Sequence, residues 1–385
     1  MTPTEIQADE ALRNREFPVT RERIYLAHAG VCPLPRRVAA AVAAAAEGGM
    51  GDDQEAPFRG GYMESTRELA AGLIGASSEE VAFVGPTSNA LSAVASGMRF
   101  RRGDNVVVYF DDYPSNVYPW MALADRGVEV RFLNIRGLGR IRDIDVMGQV
   151  DECTRLVALA SCHFISGYRL DVPVIGEYLR ERGILFCLDA IQTLGAFPTL
   201  AQHVDFMAAD AHKWLLGPTA AGILYVRKAV QDRLEPWGYG WHNVKCPDFV
   251  AQEEMVLRGD ARRYEIGSHN LVGLAGLRAS LELVQEVGLE AISRDLVRKR
   301  GKLVEALLEQ GHAVVNPEPS AENVSGIVSF EPRGGKAMEV QERLAPGGVV
   351  SSLRVDREGK RYVRFSPHYY NTDAELDEAL RLAGL

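Results

Sequence analysis

The chain has 385 residues, of which 46% are hydrophobic and 25% are charged, and its formal net charge is −9. This length favours one large and one smaller domain, since domains usually hold about 100–200 residues. The acidic balance argues against nucleic acid and anionic membranes as partners, and no apolar run approaches the roughly 18 residues of a membrane span. The polar N-terminal segment lacks the apolar centre of a secretory signal. We therefore expect a cytoplasmic protein.

The first predicted elements are helices, over residues 35–46, ending at Gly48-Gly49, and over 62–74. From residue 81 onward, short apolar and β-branched runs alternate with helical stretches. These runs cover 81–84, 105–110, 128–133, 155–161, 184–190, 204–210 and 222–227. Such alternation predicts an α/β domain with a mostly parallel sheet covered by helices.

After residue 227 the alternation stops, and a loop rich in tryptophan, tyrosine and glycine follows. A long helical stretch over 271–309, kinked near Gly288, then leads into a small α+β region. Its predicted elements are strands near 323–330 and 361–366, a helix near 336–344, and a closing helix over 373–382 capped by Thr372. We divide the chain into an N-terminal segment (1–20), a large α/β domain (21–265) and a small C-terminal α+β domain (266–385). The N-terminal segment could pack with the small domain.

Five cysteines are widely spaced and form no CxxC pair; they are Cys32, Cys153, Cys162, Cys187 and Cys246. This pattern favours neither a disulfide framework nor a structural zinc site. Cys162 precedes His163, but no further ligands stand at metal spacing. We therefore predict no metal site.

Polar segments follow the predicted strands at their carboxyl ends, where the sites of parallel sheets gather. Asp189 ends one strand and Lys213 follows the next, 24 positions later. Neighbouring parallel strands would place both side chains in one cleft. The cofactor pyridoxal 5′-phosphate (PLP) needs such a pair, because a lysine amine forms a Schiff base with it and a carboxylate keeps its pyridine nitrogen protonated. The alternatives are a helix N-cap for Asp189 and a surface position for Lys213.

The run D-A-x-Q … A-D-x-H-K-W-L-x-G-P resembles the class V aminotransferase family of fold-type I PLP enzymes. This group includes cysteine desulfurases, selenocysteine lyase, kynureninase and isopenicillin N epimerase. The similarity extends from about Ile24 to the C-terminus. It implies a fold-type I large domain with a seven-stranded, mostly parallel sheet and PLP as the cofactor. It also implies that Lys213 is the Schiff-base lysine and proton shuttle, Asp189 the pyridinium partner, and Gln192 the donor to the phenolic oxygen.

The resemblance implies further cofactor contacts. Thr87 and Ser88, at the start of a helix, would cradle the phosphate, and a helix N-terminus attracts anions on physical grounds as well. His212 resembles the phosphate-side histidine, with core packing as the alternative. Tyr113 would stack on the PLP ring or pack in the core, and His163 lies in a stretch that approaches the ring in relatives, so we include it among the catalytic residues.

Other matches concern the substrate and the partner subunit. Ser268 and Asn270, in RYEIGSHN, resemble a segment that reaches the cofactor phosphate of the partner subunit in relatives, and Trp241 resembles the cross-subunit tryptophan of kynureninase. A homodimer with shared active sites is implied, in keeping with the general preference for two-fold dimers. Arg364 resembles the arginine that binds the substrate α-carboxylate, which a guanidinium can hold through two N–H groups. His28 matches the N-terminal active-site segment.

The chain also departs from the family pattern. Desulfurases that pass sulfur onward carry a nucleophilic cysteine before the final arginine motif, but the last cysteine here is Cys246. A persulfide-forming desulfurase is therefore not expected, because that chemistry needs a thiolate. Asp210 stands where relatives often have a serine that contacts phosphate, and an anion there would repel the phosphate. Arg354 and Arg361, near Arg364, could be solvated side chains.

The leading hypothesis is a cysteine-desulfurase-like lyase that cleaves a β-substituent, with C–S as the favoured bond, from a small L-amino acid. An aminotransferase is the first alternative and an amino-acid epimerase the second. A PLP-fold protein without activity is disfavoured because the Asp189–Gln192–Lys213 set is intact. A nucleotide-binding protein and a serine hydrolase are disfavoured because no GxGxxG follows the first strand and the chain lacks GxxxxGK[ST] and GxSxG.

Overall fold

A computed structural model describes residues 1–384 of the chain. The helices are α1 (Pro3–Ala8), α2 (Glu10–Glu16), α3 (Arg36–Gly51), α4 (Tyr62–Ile74), α5 (Thr87–Gly97), α6 (Tyr118–Met121), α7 (Asp143–Met147), α8 (Val172–Glu181), α9 (Leu271–Val287), α10 (Leu289–Glu309), α11 (Ala337–Leu344) and α12 (Asp373–Gly384). The strands are β1 (Ile24–Tyr25), β2 (Val81–Val84), β3 (Asn105–Val108), β4 (Glu129–Phe132), β5 (Thr154–Ala160), β6 (Leu185–Asp189), β7 (Phe206–Asp210), β8 (Gly222–Val226), β9 (Ala313–Val314), β10 (Val328–Glu331), β11 (Val349–Val350), β12 (Ser352–Val355) and β13 (Arg361–Phe365). Among these helices none has both the length and the apolar composition needed to cross a bilayer.

The largest sheet has seven strands in the order β2-β8-β7-β6-β5-β3-β4. Strand β8 runs antiparallel to β2 and β7, and all other neighbours are parallel. Strands β3, β6, β7 and β8 are buried throughout, because helices cover both faces of the sheet. The prediction of a mostly parallel sheet with helices around it is confirmed.

Two glycine signals in the sequence have different outcomes. The stretch over 271–309 is two helices joined at Gly288, whose φ of +88° suits glycine, so the predicted kink is confirmed. The predicted end of α3 at residue 46 is wrong, because the helix continues to Gly51. A Cβ at Gly48 would lie 2.8 Å from Pro57 Cγ. That glycine therefore serves a close contact inside the helix rather than its termination.

The C-terminal region builds an antiparallel sheet in the order β12-β13-β10-β9, packed against α10 to α12. Strand β1 pairs in parallel with β11, which ties the start of the chain to this region. Helix α9, in turn, packs on α3 and α4 beside the large sheet. The division of the chain at residues 20 and 265 therefore stays a prediction.

The large sheet brings the carboxyl ends of β6 and β7 together. The two strands are adjacent and parallel, with Asp189 paired to Ala208. The loops that follow them consequently leave the sheet at the same edge. This register decides where the side chains after each strand can meet.

Candidate active site

A cavity of about 270 Å³ lies at this edge of the large sheet. It collects residues from eight separate stretches of the chain. They are Ala29, Gly30, Val31, Pro86, Thr87, Ser88, Tyr113, Ser115, Phe164, Asp189, Ile191, Gln192, His212, Lys213, Arg354 and Arg364. The predicted pairing of Asp189 and Lys213 in one cleft is thus present in the structure.

Lys213 and Asp189 are the ionisable pair at the base of this cavity. Lys213 is 7% exposed, and burial lowers the pKa of its amine to about 8 against the opposing effect of Asp189. Burial also raises the pKa of Asp189 to about 6, although the N–H of Ile191 donates to its Oδ1 at 3.0 Å. Within residues 1–384, Lys213 Nζ makes no hydrogen bond or ion pair, and Asp189 has no further donor. Both groups are therefore free to bind a ligand.

Tyr113 and Phe164 form an aromatic wall of the cavity. Tyr113 is 47% exposed, and its ring centroid lies 5.3 Å from Lys213 Nζ. Phe164 packs edge-on against it, with centroids 5.4 Å apart. The exposure of Tyr113 excludes the core-packing alternative and leaves its ring face available to a planar group.

The first turn of α5 supplies polar groups to the same cavity. Thr87 and Ser88 follow Pro86 at the helix N-terminus, where backbone N–H groups lack helical partners. The Oγ of Ser88 lies 2.7 Å from that of Ser115, and Thr87 Oγ1 accepts the N–H of Asp210 at 3.0 Å. Free amides and hydroxyls at a helix N-terminus suit an anion.

Asp210 does not face the cavity. Its buried carboxylate accepts N–H groups from Ala211, Ala220 and Ala221 at 2.7–3.0 Å. It also accepts Nδ1–H of His212 at 2.8 Å, which orients the ring of this cavity-lining residue. The repulsion of a phosphate expected from this position is therefore weakened, because the carboxylate is directed at these donors and does not line the cavity.

Two predicted site histidines lie outside the cavity. His163 is buried, and both ring nitrogens are used: Nε2–H donates to the carbonyl of Asp111 at 3.0 Å and Nδ1 accepts the N–H of Ser166 at 3.1 Å. Burial lowers its pKa to about 4, so the ring is neutral. The structure does not support His163 as a catalytic residue; its neighbour Phe164 reaches the cavity instead.

Both ring nitrogens of His28 also have hydrogen-bond partners within the protein. Its Nδ1–H donates to the carbonyl of Ser366 at 2.9 Å and its Nε2 accepts the hydroxyl of Tyr370 at 2.7 Å. Burial lowers its pKa to about 3. The substrate contact predicted for His28 is not formed by its side chain, since the following residues, Ala29 to Val31, line the cavity.

Gln192 lines the cavity but has other partners. Its Nε2 donates to the carbonyl of Ala29 at 3.0 Å, and its Oε1 accepts Nε1–H of Trp214 at 2.9 Å. One amide hydrogen therefore remains for a ligand. The role of Gln192 toward the phenolic oxygen stays a prediction.

Ser268 and Asn270 lie in a different cavity, of about 310 Å³, and Trp241 lies nearby with 41% of its surface exposed. Asn270 caps α9 by accepting the N–H of Gly273 at 3.1 Å. A single chain does not bring these three residues to Lys213. Their predicted contact with a partner subunit's cofactor stays a prediction.

Close to Asn270, three potential metal ligands converge: His242, Glu265 and His269. The carboxylate of Glu265 is already paired with Arg67, whose Nη1 lies 2.5 Å from Oε1. His269 Nε2 lies 3.1 Å from the other oxygen. A buried guanidinium already supplies the positive charge that a metal would bring, so these contacts read as an ion-pair network.

Arg364 enters the cavity from β13. It is buried, and its Nη1 donates to the carbonyl of Phe164 at 2.5 Å. Burial and the charge of Arg354 lower its pKa well below the ordinary arginine range. Of the two arginines for which a solvated position was the alternative, Arg361 is exposed, whereas Arg354 is half-buried and lines the cavity.

The family profile of the aminotransferase class-V proteins matches residues 24–379. A probable cysteine desulfurase from Methanothermobacter thermautotrophicus is 32% identical over 94% of both chains. The chain belongs to the aminotransferase class-V family. A Bacillus subtilis protein named as an uncharacterized aminotransferase, YcbU, is 29% identical over 82% of both chains. The fold is shared with the apo structure of a cysteine desulfurase from Thermococcus onnurineus, with a TM-score of 0.86 and 24% identity over 99% of this chain and 97% of that one.

As a class-V enzyme the chain is PLP-dependent, and its cavity fits that cofactor. Lys213 offers an unpaired amine, and the carboxylate of Asp189 is free to accept a pyridinium N–H. Tyr113 offers an exposed ring face, and α5 offers free backbone amides for the phosphate. These residues would hold PLP by covalent, ionic, stacking and hydrogen-bond contacts respectively.

The lowered pKa of Lys213 predicts how the class-V apoenzyme captures its cofactor. Only the neutral amine attacks the PLP aldehyde, so the capture rate should fall about tenfold per pH unit below pH 8 and level off above it. An ordinary lysine, with a pKa of 10.5, would make the rate rise through that whole range. The rise of visible absorbance after mixing apoenzyme with PLP measures this rate. A rate still climbing tenfold per unit above about pH 9 would contradict the assignment.

Proposed function

We propose that this class-V enzyme is a lyase that removes a sulfur substituent from the β-carbon of an L-amino acid. The observation that carries the proposal is the convergence of Lys213, Asp189 and Arg364 in one cavity of about 270 Å³. A base, a pyridinium partner and a carboxylate receptor are the groups that such a reaction needs. The probable cysteine desulfurase at 32% identity supports the choice of a C–S bond.

Bound PLP supplies an electron-accepting ring joined to the substrate α-carbon. Arg364 would bind the α-carboxylate through its guanidinium and so orient the α-proton. The amine of Lys213, released by the incoming substrate, would take that proton, and its pKa near 8 suits a base at neutral pH. Asp189 would hold the proton on the ring nitrogen. Lys213 would then return the proton to the departing sulfur.

The fate of the sulfur follows from the cysteines. None of the five lines the cavity, and burial raises the pKa of Cys32 to about 12 and that of Cys162 to about 11. Such thiols are poor nucleophiles. We therefore infer that sulfur leaves as a thiol and does not pass to a protein cysteine. The balanced reaction converts an S-substituted cysteine and water into a thiol, pyruvate and ammonium.

The decisive experiment incubates the holoenzyme with L-cysteine, L-cystine, S-methyl-L-cysteine and L-glutamate and identifies the products by mass spectrometry. We expect pyruvate and ammonium from the sulfur compounds, and the Cys246→Ser variant should match the wild type. A cofactor that stays in its amine form until a keto acid is added would replace the lyase with a transaminase. Deuterium exchange with inversion at the α-carbon would indicate an epimerase.

The proposed assembly is a homodimer with active sites at the interface. Trp237, Trp241 and Phe249 expose 52%, 41% and 77% of their surfaces on the loop beside Ser268 and Asn270. An apolar patch of this kind is typical of a contact surface.

We also propose the cytoplasm as the compartment, since all five cysteines are free, as a reducing environment favours. For the proposed dimer, the mass is the quantity to measure. Light scattering coupled to gel filtration measures the dimer mass.

A further inference from the structure

Two arginines face the cavity from one β-hairpin. In the antiparallel pair β12–β13, Ser352 lies opposite Arg364 and Arg354 lies opposite Tyr362. Because side chains alternate across a strand, this register puts Arg354 and Arg364 on the same face as diagonal neighbours. Both guanidiniums line the cavity that holds Lys213.

The two guanidiniums approach a common point. A Cβ added at Gly30 would lie 3.5 Å from Nη2 of Arg354 and 3.6 Å from Nη2 of Arg364, so these nitrogens are at most about 7 Å apart. Because residue 30 is glycine, this position places no side chain between them. A small ligand can therefore contact both arginines at once.

Neither guanidinium has a counterion in the part of the chain that the structure describes. The protein acceptors of Arg364 are the carbonyl of Phe164 and, at 3.4 Å, the hydroxyl of Ser352. Arg354 contacts only the neighbouring carbonyl of Leu353, at 3.4 Å. The Nε atoms of both arginines are buried without a partner. The one carboxylate lining this cavity, Asp189, is committed to the ring nitrogen in the proposed function.

The two unpaired guanidinium charges indicate how many acidic groups the ligand carries. Two like charges at this separation in a partly buried site repel each other, and that repulsion contributes to the lowered pKa of Arg364. A substrate with a single carboxylate neutralises one of them. A substrate with a second acidic group neutralises both and satisfies their free N–H donors.

We propose that Arg364 and Arg354 select amino acids with two acidic groups: Arg364 takes the α-carboxylate and Arg354 takes a carboxylate at the end of the side chain. The proposal rests on the proposed function, and within it names the substrate class. The substrates would be cysteines whose sulfur carries a short chain ending in an acid. Arg354 is then a specificity-determining residue.

The test is a binding titration that needs no bond cleavage. Succinate and succinamate have nearly the same shape, but succinamate has an uncharged amide in place of one carboxylate. Neither compound carries an amine that could react with the cofactor. Calorimetry on the holoenzyme at constant ionic strength should show succinate binding about 10- to 100-fold more tightly, the range for a charge-assisted contact. Arg354→Met should reduce that preference to about threefold or less while succinamate affinity holds. Arg354→Lys, which keeps the charge, should retain part of it.

The matched control is Arg361→Met, which removes an exposed arginine of the same hairpin and should leave the preference intact. Equal affinity of the wild type for both compounds would overturn the proposal. So would an Arg354→Met variant that weakens both compounds alike, since both arginines would then hold the same carboxylate. Because no bond is cleaved, a failed lyase assay would leave this result standing, and a lost preference would leave the lyase assay standing.

Discussion

Replacing Lys213 with alanine is expected to lower turnover by about 10⁴-fold or more and to abolish covalent attachment of the cofactor. The same amine carries PLP and takes the α-proton in the proposed mechanism, so its loss removes two functions that act as a unit. Borohydride reduction followed by mass spectrometry of the intact chain measures the attachment. The wild type should gain the mass of one reduced cofactor per chain, and the variant should gain none.

Two control variants separate the role of the Lys213 amine from the effect of its positive charge and from the effect of losing any lysine. Lys213→Arg keeps a cation in the cavity but offers no amine that can bind the cofactor covalently, and it should fail as the alanine variant does. Lys302→Ala removes a lysine of α10 that does not line the cavity and pairs with Asp377, and this variant should behave as the wild type. A Lys213→Ala protein that still gains the cofactor mass would refute the site.

Asp189→Asn is expected to reduce turnover by about 10³-fold while PLP stays bound. The amide has nearly the same shape as the carboxylate but carries no negative charge to keep the ring nitrogen protonated, and proton-holding groups of this kind contribute about 10²- to 10⁴-fold. The loss should appear mainly in kcat, because Arg364 still binds the substrate carboxylate. Turnover kinetics and the spectrum of the purified holoenzyme separate the two effects.

Asp112 provides the control for Asp189. It is also buried but does not line the cavity, and burial raises its pKa to about 7. Its carboxylate accepts N–H groups from Tyr113, Asn116 and Ala160 at 2.7–3.1 Å. Asp112→Asn should therefore lower the unfolding temperature and change turnover by less than about tenfold. Equal losses of turnover in the two variants would contradict the specific role of Asp189 toward the ring nitrogen.

The α/β alternation and the Asp189–Lys213 pair were predictable from local sequence. Buried parallel strands need apolar, β-branched runs, and functional side chains of such sheets stand just after them, so strand order along the chain carries much of the information. The adjacency of β6 and β7 follows the common rule that consecutive strands are neighbours. Thr87 and Ser88 could be predicted as site residues in the same way, because they begin the helix that follows β2.

The orientation of residues beyond the strand ends was not predictable, because it depends on contacts with distant elements. His163 and His28 carry the right chemistry, yet Asp111, Ser166, Ser366 and Tyr370 saturate their ring nitrogens away from the cavity. One position further along, Phe164 faces the cavity. No periodicity operates in such loops, so a shift of one residue separates a pocket residue from a buried one.

By itself, the sequence determined the fold class and the cofactor, since both depend on local patterns: apolar runs that alternate with helices, and a lysine and an aspartate just after neighbouring strands. The residues that bind the cofactor stay predictions. Only the tertiary structure decided the environment of Asp210 and Arg354. Backbone amides of residues 220 and 221 donate hydrogen bonds to the carboxylate of Asp210, and the register of a hairpin places Arg354 beside Arg364. Charge compensation and register are set by which segments pack together, and that information exists only once the chain is folded.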